Sequence, residues 1–127
     1  MTFEVLTVGY RLPSIPPSQF KQYYERHMAH VQKMAGAHFP QSHTRRYIQR
    51  DGDNNDAMVY VGSQAYFDYD VLAEMVFENE DAWKMFYDTL GEEENAKWIE
   101  QDESNFFDRD RVKVVVLGKT EVTERKV

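Results

Sequence analysis

Phe3, Val5 and Thr7 alternate with Leu6, Val8 and Tyr10 in a β-rich stretch that stops at Arg11-Leu12-Pro13, so the period of two predicts an opening strand. Pro13-Ser14-Ile15-Pro16-Pro17 cannot be regular, but Pro17 suits the first turn of a helix, where a missing N–H costs nothing. Phe20, Tyr24, His27, Met28, Val31 and Met34 then recur at helical spacing, which predicts a helix over roughly Pro17 to Ala35. Gly36 supplies a stop and Pro40 forbids continuation; Ser42 to Gln49, with Thr44, Tyr47 and Ile48, reads as a second strand. Turn formers crowd Asp51 to Asp56 and no clear period returns until Asp70, so an irregular insert is expected over about 51–69. Such a segment serves either as a lid or binding loop or simply as a surface loop. Val71 to Phe77 reads as a third strand leading directly into a helix capped by Asn79, with Glu80 and Asp81 in its first turn. Ala82, Phe86 and Leu90, with Met85 alongside, give that helix its apolar stripe, and Gly91 ends it. A short acidic helix around Glu92 to Glu103, a last strand over Val112 to Leu117 and a charged tail at about 121–127 complete the chain.

The order β-α-β-β-α-β predicts a ferredoxin-like α+β fold, a four-stranded antiparallel sheet with its helices on one face. The opposite face, expected to include some of Val112, Val114 and Val116, is too apolar to leave in water. Its simplest cover is the same face of a second copy, so a homodimer is expected. No repeat or linker divides the chain, and residues 1–127 read as one domain.

Composition sharpens this picture. Aromatic residues make up 14% of the chain, more than a core of this size needs, so some should line a cavity. A formal net charge of -7 repels phosphate backbones and anionic lipid surfaces, which argues against nucleic acid and membranes as partners. With no cysteine, there is no thiolate nucleophile, disulfide framework or Cys-ligated zinc to consider. No signal-like or bilayer-length apolar run is present, and a cytoplasmic location is the expectation.

Several stretches carry a family resemblance. Gly9-Tyr10-Arg11 followed by Phe20 to His27, then Asp70 to Phe77 with its leading Asp, internal Glu and closing aromatic, the Ala82-Trp83 helix, and Asp102-Glu103-Ser104-Asn105-Phe106-Phe107-Asp108 occur in order. Together they resemble the EthD-like family of dimeric α+β barrel proteins. The resemblance implies a ferredoxin-like protomer, dimerisation through facing sheets, and an apolar pocket between sheet and helices. Relatives include tetracenomycin-type and olivetolic-acid-type polyketide cyclases, decarboxylases, dehydratases and cofactor-free oxygenases. The chain departs from the common pattern at Met28, where many members carry a second adjacent His, and in its longer insert.

His27 is the sharpest chemical candidate, because its spacing from Phe20, Tyr24 and Val31 aims an imidazole inward, where it is either a general base or a hydrogen-bonded core histidine. His30, one turn on, is placed to share the rim; as an i, i+3 pair the two lack a spaced third ligand for a metal. Asp102, Glu103 and Asp108 are able to orient an imidazole, most of that acidic run reads as solvated, and the resemblance singles out Asp102 and Asp108. Tyr24, with Asp102, His27 and His30, completes the expected catalytic set. Tyr10, Tyr47, Tyr60, Tyr66, Phe77, Trp83, Phe86 and Phe106 are the expected substrate-binding aromatics, although core packing explains most of them equally well. His38 and His43 read as surface or rim residues, and of the adjacent Arg45 and Arg46 only one can face a substrate.

The expectation is therefore a lyase or cyclase that needs no cofactor and tailors an aromatic or polyketide-like small molecule by proton chemistry at His27. An oxidoreductase of the same fold, a cofactor-free monooxygenase or a haem-dependent relative acting on an anthrone or phenol, is the alternative. A non-catalytic ligand-binding dimer is the third.

Overall fold

In the computed structural model, which describes all 127 residues, the elements are β1 (Phe3–Gly9), α1 (Pro17–Ala35), β2 (Ser42–Tyr47), β3 (Arg50–Asp51), β4 (Asp56–Ala57), β5 (Val71–Phe77), α2 (Glu80–Leu90), α3 (Glu93–Glu103) and β6 (Lys113–Val116). Four strands form one antiparallel sheet in the order β2-β5-β1-β6, the ferredoxin-like arrangement. Pro17 stands in the first turn of α1, and the Asn79 side chain accepts from the Ala82 N–H to cap α2, so both helices begin as the sequence dictates.

Register decides which side chains meet the helices. Val5 pairs with Met75 on one side and Val116 on the other, and Thr7 pairs with Ala73 and Val114. Val5, Thr7, Met75, Val112 and Val114 all line the space beneath the helices. The expectation that Val112, Val114 or Val116 would cover the opposite face is thus corrected: Val114 and Val116 share the helix side with Val5. The open face carries Leu6, Val8, Leu72, Val76 and Val115, one residue out of step.

The core has two aromatic groups. Phe20, Tyr24, Phe106 and Phe107 pack together at one end, with ring centroids 4.7 to 6.1 Å apart. Phe39, Phe77 and Phe86 form the other. Phe20, Phe77, Phe86 and Phe106 are fully buried, each worth about 1.5–3 kcal/mol of apolar transfer. Gly9 must lack a side chain, since a Cβ there would lie 2.8 Å from both Phe107 and Val71. That close approach lets residues 10–12 run beside residues 106–108: Leu12 N–H donates to Phe106 O and Asp108 N–H to Tyr10 O, each at 2.9 Å. The end of α3 is thereby pinned to the strand that leads into α1.

The insert is more ordered than its composition suggests. β3 and β4 form a small hairpin, its turn using Gly52 and Asn55 at φ 75° and 55°. Arg50 anchors it, donating to Asp70 at 2.9 Å and to the carbonyls of Phe67 and Tyr69 at 2.9 and 2.6 Å. Gln64 bonds both the N–H and the carbonyl of Ala57. After Val116 there is no further regular element, and no helix is long and apolar enough to cross a membrane.

Candidate active site

Helix α1 turns Tyr24, His27, Met28 and Val31 to one side, as i, i+3, i+4 and i+7 positions require. His27 is only 3% exposed there, and α3 meets it with its last turn. Asp102 Oδ2 lies 2.7 Å from His27 Nδ1, while Glu103 Oε2 lies 3.7 Å from Nε2. Trp98, one turn before Asp102, stacks on the imidazole at 5.3 Å and 14°, and Phe106 meets it edge-on at 5.3 Å. A carboxylate only accepts, so the short bond places a proton on Nδ1 and leaves the neutral ring's lone pair on Nε2. That is the tautomer a general base needs.

His27 forms part of the wall of a half-open cavity of about 510 Å³ lined by the sheet and all three helices, between the two aromatic groups. Most of the wall is apolar, including Met28, Val31, Met75, Phe86, Ile99 and Phe107. Polar groups are few: Thr7, Tyr24, His27, Trp83, Tyr87, Glu103 and Arg109. Burial pushes the Tyr24 phenol well above its usual range, so it remains a proton donor at neutral pH. Burial, followed by the charge on Glu103, also raises the Tyr87 phenol. Burial also raises the Glu103 carboxyl, against the opposing pull of His27 and of Arg109, whose Nε donates to it at 3.0 Å. The Trp83 indole N–H is buried without a hydrogen-bond partner. Together these groups can remove a proton, stabilise an oxyanion and hold an apolar body in one orientation.

The structure brings His27, Tyr24, Trp83 and Phe86 to the cavity and sets Asp102 behind the imidazole. Phe106, fully buried, supports the ring from outside the cavity wall. The remaining candidates lie elsewhere. His30 is exposed and stacks on Trp98 at 3.8 Å, and it is not among the residues lining the cavity. Tyr10 is buried against Arg111 and accepts from Lys113 Nζ at 3.0 Å. Tyr47 donates to Glu25 at 2.6 Å, and Phe77 packs on Phe86 in the core. Tyr60 and Tyr66 sit on the insert at 91% and 75% exposure, far from being cavity walls. Asp108 contributes its backbone N–H to Tyr10 rather than a carboxylate to the imidazole.

Two further residues find their places. His43 is half-buried on the wall of a second cleft: it lies edge-on to Tyr24 and Phe39, and burial, followed by the Arg45 charge, pushes its pKa down to about 4. Arg45 is the arginine that faces the helices, but it is held by both oxygens of Glu25 at 2.6 and 2.9 Å and does not reach the cavity. Thr7, Tyr87 and Arg109 are polar wall residues that are not among the sequence-based candidates, and Glu103, named there only as one of three carboxylates able to orient an imidazole, lines the wall itself. Glu103 had a readable signal, since Ala96, Ile99 and Glu103 are spaced three and four apart and form one face of α3.

Comparison with known proteins agrees with this architecture. Among curated proteins no sequence match is found. Among solved structures, a dimeric ferredoxin-like protein of unknown function from Thermobifida fusca YX superposes with a TM-score of 0.56 at 10% identity, covering 94% of this chain and 92% of that one. An ethyl tert-butyl ether d (EthD) family protein from Bacillus halodurans C-125 gives 0.56 at 11% identity, covering 94% and 100%. A variant of SnoaB, a cofactor-independent oxygenase from Streptomyces nogalater, gives 0.55 at 12% identity and 98% coverage of both chains. The family model described as the EthD domain matches residues 12–110, most of the chain, and the protein therefore belongs to the EthD domain family.

Proposed function

We propose that this protein is a cofactor-free lyase or cyclase that tailors an aromatic polyketide or a related secondary metabolite by general acid/base chemistry at His27. The observation that carries the reading is a buried imidazole whose Nδ1 is held by Asp102 at 2.7 Å and which forms part of the wall of a largely apolar cavity of about 510 Å³. Nε2 takes a proton from carbon α to a carbonyl, the Tyr24 hydroxyl donates to the enolate oxygen, and the imidazolium is stabilised between Asp102 and Glu103. Intramolecular aldol closure, water loss or decarboxylation follows from that enolate. A linear poly-ketone has many ways to cyclise, and the aromatic walls favour one by folding it before the base acts.

A homodimer suits the same reading. The open sheet face carries Leu6, Val8, Leu72, Val76 and Val115, with Val115 54% exposed, and a second copy of that face covers it. The similar protein from Thermobifida fusca is dimeric.

The test is incubation of the purified protein with a linear tetraketide thioester, followed by product analysis. One cyclised or dehydrated product formed faster than without protein, and slowed about a hundredfold or more by His27→Gln, is expected. Oxygen consumption with an anthrone as substrate would instead establish the second reading, an oxygenase, which the likeness to SnoaB brings into view. Tight binding without conversion of either compound would leave a ligand-binding dimer.

A further inference from the structure

The cavity is half-open, and its exposed wall residues mark the mouth: Tyr87, Val114 and the Arg109 side chain are each nearly half exposed, whereas Tyr24, His27 and Phe86 are buried. Arg109 is the single Lys or Arg on that wall. The turn that carries it is fixed, because Asp108 N–H donates to Tyr10 O at 2.9 Å and Arg111 N–H to Asp108 O at 3.2 Å. Of the guanidinium donors only Nε is spent, on Glu103 Oε1 at 3.0 Å; Nη1 stands 3.8 Å from Glu100, beyond hydrogen-bonding distance. The terminal N–H groups are left as a planar fork beside an apolar chamber. Glu103 Oε2 lies 3.7 Å from His27 Nε2, so one carboxyl group separates the guanidinium from the imidazole. Such a fork takes both oxygens of a carboxylate side by side, while the chamber takes an aromatic body.

We propose that Arg109 sets the specificity of the cavity, and that the substrate is an aromatic or polyketide acid whose carboxylate Arg109 holds at the mouth. The inference rests on the cavity being the substrate site and adds to that reading the charge of the ligand and its direction, with the anionic end outward and the ketone end inward at His27. The bond to Glu103 uses one edge of the guanidinium and steadies it, leaving the other N–H groups for the ligand. Neutral ketones still enter the apolar chamber, but without that anchor. Were Arg109 absent, the Glu103 carboxylate would leave the wall negative and oppose an acid.

The experiment measures affinity by isothermal titration calorimetry at neutral pH for 2-naphthoate, which is ionised there, and for 2-naphthamide, its neutral isostere. The wild-type protein is expected to bind the acid about tenfold or more tightly than the amide. Arg109→Gln abolishes that preference and leaves affinity for the amide unchanged. Because this variant also unmasks the charge on Glu103, the comparison is repeated in a Glu103→Gln background. A carboxylate held by Arg109 loses its preference there too when Arg109→Gln is added, whereas unmasking alone predicts no further loss. Equal affinity for the two ligands in the wild-type protein, or a preference for the acid that survives Arg109→Gln in the Glu103→Gln background, overturns the anchor while leaving the cavity as the substrate site. Failure of both ligands to bind overturns the anchor and that site together.

Discussion

Two imidazoles in this molecule show how surroundings assign a role to one side chain. His27 is oriented by a carboxylate and borders a cavity, whereas His43 receives an Arg45 N–H at 3.2 Å on Nδ1 and is walled by Tyr24 and Phe39. Arginine only donates, so His43 Nδ1 accepts and its proton sits on Nε2, which is buried and unpartnered. The pKa of His43 falls to about 4 in the fold against an ordinary 6.5. Between those values the unfolded chain binds more protons, so stability is full above pH 6.5 and falls as pH drops toward 4. Glu25, depressed by its hydrogen bonds from Arg45, adds a loss as pH falls through its own lowered value. Urea midpoints measured from pH 7 to 4 should decline, and His43→Gln should flatten the upper part of that decline; an identical slope in the variant contradicts the assignment. His27 was legible because helical spacing alone aims it inward. His43 was not, because its burial depends on Tyr24 and Phe39, which the fold brings from elsewhere in the chain.

At the scale of elements, the helices and the four main strands follow from periodicity, caps and turn residues. The insert does not, since its order comes from one side chain that local pattern cannot reveal. Arg50 is 7% exposed and spends its donors on Asp70 and on the carbonyls of Asn55, Phe67 and Tyr69, while Asp70 also takes Arg11 at 3.3 Å. Removing Arg50 leaves Asp70 with Arg11 alone and takes the guanidinium donor from the carbonyls of Asn55, Phe67 and Tyr69. Arg50→Ala should lose about 1–3 kcal/mol of stability and make residues 51–69 markedly easier to cleave in limited proteolysis. Unchanged stability and cleavage would show that the insert is held by other means. The acidic helix α3 teaches a related lesson: its charges suggest a solvated element, yet Ala96, Ile99 and Glu103 face the cavity and Asp102 meets His27. Charge content concealed a period that placed two carboxylates on one imidazole.

For the whole molecule, one residue of register separates the wall of a cavity from an assembly surface. Val114 lies opposite Thr7 beneath the helices, and Val115 lies opposite Leu6 on the open face. A run of consecutive valines gives no alternation by which to tell them apart, so the apolar open face was legible but its members on β6 were not. Leu72→Asp puts a charge at the centre of that face and should convert the proposed dimer to a folded monomer by light scattering; a dimer that persists would place the interface elsewhere. Such a change leaves the cavity of each protomer intact, which separates assembly from chemistry. The central claim, that the cavity-lining imidazole removes an acidic carbon-bound proton, is tested most directly by comparing deuterium exchange into 2-tetralone by wild-type protein and by folded His27→Gln under the same conditions. A rate at least about a hundredfold lower in the variant is predicted. Equal rates would contradict the account.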